Sequence, residues 1–235
     1  MYLTLASTVR IYFKPCNYQG QGCIIKINVK TALAYIAMNK PILSNFRIQP
    51  EGRISKICLS KELYTLEEVI THLKVLPYGR TSDKRDLAMV LVEGRGTCSA
   101  KHALLVQLAN ENGHENIRLA LCTYGMTASV HPEVSVILQQ HQLEVIPEAR
   151  CFVKFQGGIY NLCGQRSPLQ PDIISEIEIA PMQTATFKRR YHKNYIENWL
   201  RIERLNRRWD SEEVWNIREA CIQAVQDESQ LLHCA

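Results

Sequence analysis

Gly94-Arg95-Gly96-Thr97-Cys98-Ser99-Ala100-Lys101-His102-Ala103-Leu104-Leu105 decides how this chain is read, because it carries a glycine-rich turn straight into an apolar helix. Thr97 is a capping residue type, so the helix begins at Cys98 and holds that thiol in its first turn. Unpaired backbone N–H groups and the positive end of the helix dipole favour a thiolate there, the form of cysteine that attacks carbonyl carbon. Thr97 and Ser99 flank the sulfur at the helix start, where such N–H groups can also face an oxyanion. Ala103, Leu104, Val106, Leu108 and Ala109 make the helix heavily apolar, which predicts central burial, and Asn112-Gly113 closes it. A buried cysteine that merely opens a core helix has the same local pattern.

The flanking sequence supplies the context. Upstream, Thr65-Leu66-Glu67-Glu68 is a capping box, and Leu66, Val69, Ile70 and Leu73 recur at helical spacing until Pro77. Tyr78-Gly79-Arg80-Thr81-Ser82-Asp83 then reads as a surface loop, in which Arg80 is either a carboxylate holder or a solvated arginine. Downstream, 117–123 alternates as a strand, 132–142 is helical, and Pro147 resets the chain. The segments 150–155 and 159–162 flank Gln156-Gly157-Gly158 as a hairpin. The last third is helical, with a stripe of Tyr191, Tyr195, Trp199 and Ile202. A final helix opens at Asp210-Ser211-Glu212-Glu213 and carries Val214, Ile217, Cys221 and Val225.

Bulk properties narrow the function classes. The 235 residues are enough for one well-packed domain with appendages, and residues 1–40 read as a peripheral or poorly ordered segment without sustained periodicity. The nine cysteines form no Cys-x-x-Cys pair and no zinc-ligand spacing, so reduced thiols in a cytoplasmic protein fit best, with no metal and no cofactor implied. No apolar run approaches the roughly 20 residues of a membrane span. The net charge of +5 is modest. Its basic excess (Lys188, Arg189, Arg190, Lys193, Arg201, Arg204, Arg207, Arg208) reads as a solvated helix face rather than a nucleic-acid surface.

Three ordered motifs carry a resemblance: Pro77-Tyr78-Gly79-Arg80-Thr81, Gly96-Thr97-Cys98-Ser99 with Lys101-His102-Ala103-Leu104-Leu105, and Pro147-Glu148-Ala149. Together they resemble a small bacterial group within the transglutaminase-like superfamily, papain-related thiol enzymes with a Cys-His-Asp triad, over about residues 41–226. The resemblance implies an α+β fold: a transglutaminase-like core over 41–182, with its central cysteine-bearing helix packed on a small antiparallel sheet, and a C-terminal helical extension over 183–235. It implies acyl transfer or amide hydrolysis on a peptide or protein through Cys98. Carried over position by position, Arg150 falls where the pattern has His, and Asn161 falls where it has Asp.

Those departures have chemical consequences. An amide can still orient a ring, but a guanidinium that stays protonated at neutral pH cannot shuttle a proton. Arg150 can stabilise a thiolate or grip a carboxylate, which leaves the leaving amine without its acid. His102, four residues after Cys98, lies on the same helix face as an auxiliary candidate, and its alternative is a ring that packs beneath the site. His131 and His141 are more remote candidates. The expected function is therefore an impaired thiol acyltransferase or hydrolase, with a catalytically degenerate peptide- or protein-binding module as one alternative and nucleic-acid binding through the C-terminal basic helices as another.

Overall fold

The computed structural model describes Leu43 and residues 45–162 and 173–231. The chain divides into two units, Met1–Ile42 and Leu43–Ala235, and the reading of residues 1–40 falls outside the described residues. Within the second unit the elements run α1 (Arg53–Ser60), α2 (Leu66–Val75), α3 (Met89–Val92) and α4 (Cys98–Glu111). There follow β1 (Arg118–Met126), a 3-10 turn (Pro132–Val134) with α5 (Ser135–Gln140), β2 (Ile146–Phe155), β3 (Gly158–Tyr160), β4 (Ile173–Ile179), α6 (Gln183–Ile202) and α7 (Ser211–Leu231). The class is α+β, with an antiparallel sheet in the order β3-β2-β1-β4.

Local chemistry explains where α2 and α4 begin. Thr65 accepts from the backbone N–H of Glu68, and the Glu68 carboxylate accepts from the N–H of Thr65 at 2.9 Å, completing the capping box of α2. Thr97 Oγ1 accepts from the N–H of Ala100 at 3.2 Å and starts α4 at Cys98. From there α4 is buried on nearly every side, through Ala103, Leu104, Leu105, Val106, Leu108 and Ala109.

The sheet divides the core by parity. Leu119 and Leu121 of β1, with Ala149, Cys151, Val153 and Phe155 of β2, pack with α4, α2 and α1. The opposite face presents Tyr124, Met126 and Ile146 to Val214, Ile217 and Cys221 of α7. Glu148 and Arg150 share the parity of Tyr124 and Ile146, so α7 and the start of α4 both bear on them.

Several expectations need correction. Pro147 does not reset the chain but lies inside β2, paired with Gly125. The N–H of Cys151 points off the edge of β2 to Ser99 Oγ, and Pro147 has the same parity, so its missing donor falls on that unpaired edge. The second hairpin strand spans 158–160 rather than 159–162, and α1, α3 and β4 were not anticipated. In α6 the buried row is His192, Ile196 and Leu200, one position on from the tyrosine stripe, and Ile202 is 71% exposed. A shift of one residue turns a helix face by about 100°, and the packing of α6 on β2 and α7 selects the His192 row. Among the described residues no helix is long and apolar enough to cross a membrane.

Candidate active site

Cys98, half-buried at the first position of α4, lines a cleft of about 670 Å³ bounded by the 78–84 loop, β2, α6 and α7. Ser99 follows it, 6% exposed, and its hydroxyl ties α4 to β2 by accepting from the N–H of Cys151 at 3.1 Å. The first turn of α4 contains no acidic residue, so its positive end faces the cleft without a compensating carboxylate.

Arg150 enters the cleft from β2, with its guanidinium carbon 5.9 Å from the centre of the Tyr124 ring. Tyr124 above all, and then, against the cost of burial, Cys98 and Glu148, push the guanidinium above its ordinary range. Among the described residues no carboxylate lies within ion-pair distance of Arg150. Burial pushes the Tyr124 and Tyr78 hydroxyls up to about 12, so both are neutral phenols at neutral pH. Among the described residues the Tyr124 hydroxyl has no hydrogen-bond partner.

Among the described residues of the cleft, the fully buried carboxylate is already engaged. Glu148 accepts from Arg218 Nε at 2.5 Å and Nη2 at 2.7 Å. Burial pushes its carboxyl up, but Arg218, helped by His192 and Lys188, outweighs that and holds it down at about 2. Arg218 also donates to Glu219, which in turn receives Arg80 at 2.8 Å. Arg80 thus meets one of the chain's own carboxylates while remaining 75% exposed.

Lys188, like Arg150, is a cation of the cleft without a carboxylate partner among the described residues. It donates from Nζ to Ser99 Oγ at 2.9 Å. Burial pushes its amine below the ordinary range, and Arg218 and Arg150 add to that against Cys151 and Glu148. This corrects the reading of Lys188 as part of a solvated face. The rest of that basic run is divided: Lys193 pairs with Glu212, Arg189 lies over Trp215, and Arg208 reaches Gln142.

The histidines separate. His102 is fully buried, does not line the cleft, and accepts the N–H of Leu162 on Nε2 at 2.9 Å. Burial pushes its pKa down to about 3, so it is a neutral scaffold ring. Asn161 does not line the cleft either, and its buried Oδ1 has no hydrogen-bond partner among the described residues. His131 and His192 do line it, with the Nε2 of His192 at 2.9 Å from the carbonyl of Pro147. His141 packs edge-on against Trp209 instead.

Arg218 and Trp215 were missed as site residues. Arg218 had a signal, since it falls four residues after Val214 on the apolar row of the last helix, where an arginine needs a buried partner. Among the described residues no group of three or more His, Cys, Asp or Glu side chains is placed to hold a metal ion. Comparison with protein-family models, with curated proteins and with solved structures finds no match.

Proposed function

We propose that this chain is a transglutaminase-like protein in which Cys98 captures acyl groups from a peptide-like substrate, by hydrolysis or transfer, while Arg150 holds an anionic part of that substrate. One observation carries the reading: Cys98 at the start of α4 and the carboxylate-free guanidinium of Arg150 line the same cleft. The sulfur attacks the carbonyl carbon, and backbone N–H groups at the helix start receive the oxyanion. Arg150 supplies charge without proton transfer, so reactions whose leaving group departs as an anion outrun amide cleavage. The same guanidinium favours a second reading, a binding cleft for a peptide carboxylate without turnover. The free state of all five described cysteines supports a cytoplasmic protein.

Intact-mass and peptide analysis after treatment with p-nitrophenyl acetate tests this. The expected result is one acetyl group on Cys98, absent in Cys98→Ala. Cys58, Cys122 and Cys221 serve as internal controls because burial pushes their thiols up to about 12, 12 and 11. Folded protein without that adduct overturns the thiol reading and leaves the binding cleft. Arg150→Met should lower the ratio of Cys98 alkylation by iodoacetate over iodoacetamide about 10-fold, the size of one charge-assisted contact. An unchanged ratio removes Arg150 as the anion holder.

A further inference from the structure

We propose that Ser99 and Lys188 form the proton relay of the Cys98 site, occupying the role that the imidazole of a thiol triad would fill. The inference rests on the acyl-transfer reading above and adds the acid and base that Arg150 cannot be.

The geometry is specific. Ser99 Oγ accepts twice, from Cys151 N–H at 3.1 Å and from Lys188 Nζ at 2.9 Å, which uses both of its lone pairs. Its own hydrogen can be donated to the Cys151 sulfur beneath it, the one side-chain acceptor beside it among the described residues, and both Ser99 and Lys188 line the cleft beside Cys98. The Cys151 N–H comes from the unpaired edge of β2, so the sheet itself fixes where the hydroxyl sits. Lys188 is anchored on α6, 89 residues away in sequence, and holds that position without a carboxylate partner among the described residues. Such a partner would keep the amine protonated. Burial above all eases loss of its proton, opposed by Cys151 and Glu148 and helped by the guanidinium groups of Arg218 and Arg150.

The chemistry balances. In acylation the Cys98 thiolate forms the S–C bond, the bond from carbonyl carbon to leaving group breaks, and the leaving atom takes the Ser99 hydroxyl proton. Ser99 recovers a proton from the Lys188 ammonium, which becomes a neutral amine. In deacylation a water oxygen bonds to the acyl carbon and the C–S bond breaks. One water proton passes through Ser99 to Lys188, and the Cys98 thiolate and a carboxylic acid result. Ser99 touches the reacting atoms, and Lys188 acts through it as a positioning and proton-storing residue.

The experiment uses the full chain and p-nitrophenyl acetate, whose leaving group departs without a proton. Cys98 is acetylated in a short pulse, and the lifetime of acetyl-Cys98 is followed by mass across pH 5–10. In the wild type the decay should accelerate as Lys188 loses its proton. In Lys188→Met the adduct should form at nearly the wild-type rate but persist about 100-fold longer, the scale of one acid-base group, with a flattened pH profile. Lys188→Arg keeps the charge and the hydrogen bond but cannot release the proton, so it should persist as Lys188→Met does. A purely structural role would be rescued by Arg. Equal decay in wild type and Lys188→Met, or rescue by Arg, overturns the relay while leaving Cys98 as the acyl acceptor. Absence of any acetyl-Cys98 in the wild type overturns the acyl-transfer reading, and the relay with it. Pulse labelling of each variant also reports that its cleft has folded.

Discussion

At the C-terminal end of α4 the polar groups are closed among themselves. Glu111 accepts from the N–H groups of Ile54 and Ser55 and from the Ser55 hydroxyl, at 2.7–3.2 Å, and so caps the start of α1. Asn112 accepts from Gln49 N–H and donates to Ser55 Oγ and the Leu108 carbonyl. The approach is close enough that a Cβ on Gly52 would sit 2.0 Å from a Glu111 carbon. At the N-terminal end the balance is different: Arg150 and Lys188 face the cleft without carboxylates among the described residues, and Glu148 is spent on Arg218. One helix therefore has a self-satisfied end, which is scaffold, and an end with spare positive charge around a thiol. Buried charge left unmatched by the fold is costly, and a ligand or a reaction that uses it is the natural compensation.

The largest effect that separates the two ends is expected at Glu148. Glu148→Gln removes the buried, bidentate partner of Arg218, leaves it only the part-exposed carboxylate of Glu219, and should cost about 3–5 kcal/mol in urea unfolding. Because the folded carboxyl is held at about 2, below its usual 4.5, the contribution of the pair is complete above pH 4.5 and is lost as pH falls toward 2. A Glu148→Gln protein with wild-type stability would mean that the pair holds nothing together.

Glu111→Ala should cost about 2 kcal/mol, the price of hydrogen bonds to a charged acceptor. It should leave acetylation of Cys98 unchanged, since Glu111 and Cys98 sit at opposite ends of the 14-residue α4. A loss of Cys98 reactivity that tracks this destabilisation would erase the contrast between scaffold and site.

The third effect is a pH slope set by His102, buried near the N-terminal end of α4. The unfolded chain binds a proton at this histidine near pH 6.5, whereas the folded ring resists until about 3. Stability should therefore fall below pH 6.5, by up to about 1.4 kcal/mol per pH unit from this one group, and level off near pH 3. His102→Gln, whose amide oxygen can accept the Leu162 N–H in place of the ring, should remove that slope in unfolding midpoints measured from pH 7 to pH 4. A slope that survives the substitution assigns it to other groups.

Much of the framework was legible locally. The capping box at Thr65, the Thr97 cap, the apolar helix after Cys98 and the hairpin glycines were visible because capping and periodicity act within a few residues. The strand Ile173–Ile179 alternates plainly and was passed over beside stronger helical signals. Pro147 misled because its breaking effect depends on whether the sheet needs its N–H, and at the open edge of β2 it does not. The site was less legible: Cys98 and Arg150 were named, but Lys188 lay in a basic run that looks solvated until α6 is docked.

What the sequence by itself determined is the setting of Cys98: a cysteine in the first turn of a capped, strongly apolar helix. Tertiary structure alone decided which charges are spent and which are spare. Glu148 meets Arg218 across 70 residues and Ser99 meets Lys188 across 89. Capping and hydrophobic period reach only a turn or two along the chain, so no local pattern encodes such pairings. They are fixed when the two faces of the sheet are covered, α4 docks on the edge of β2, and α6 and α7 close over the cleft.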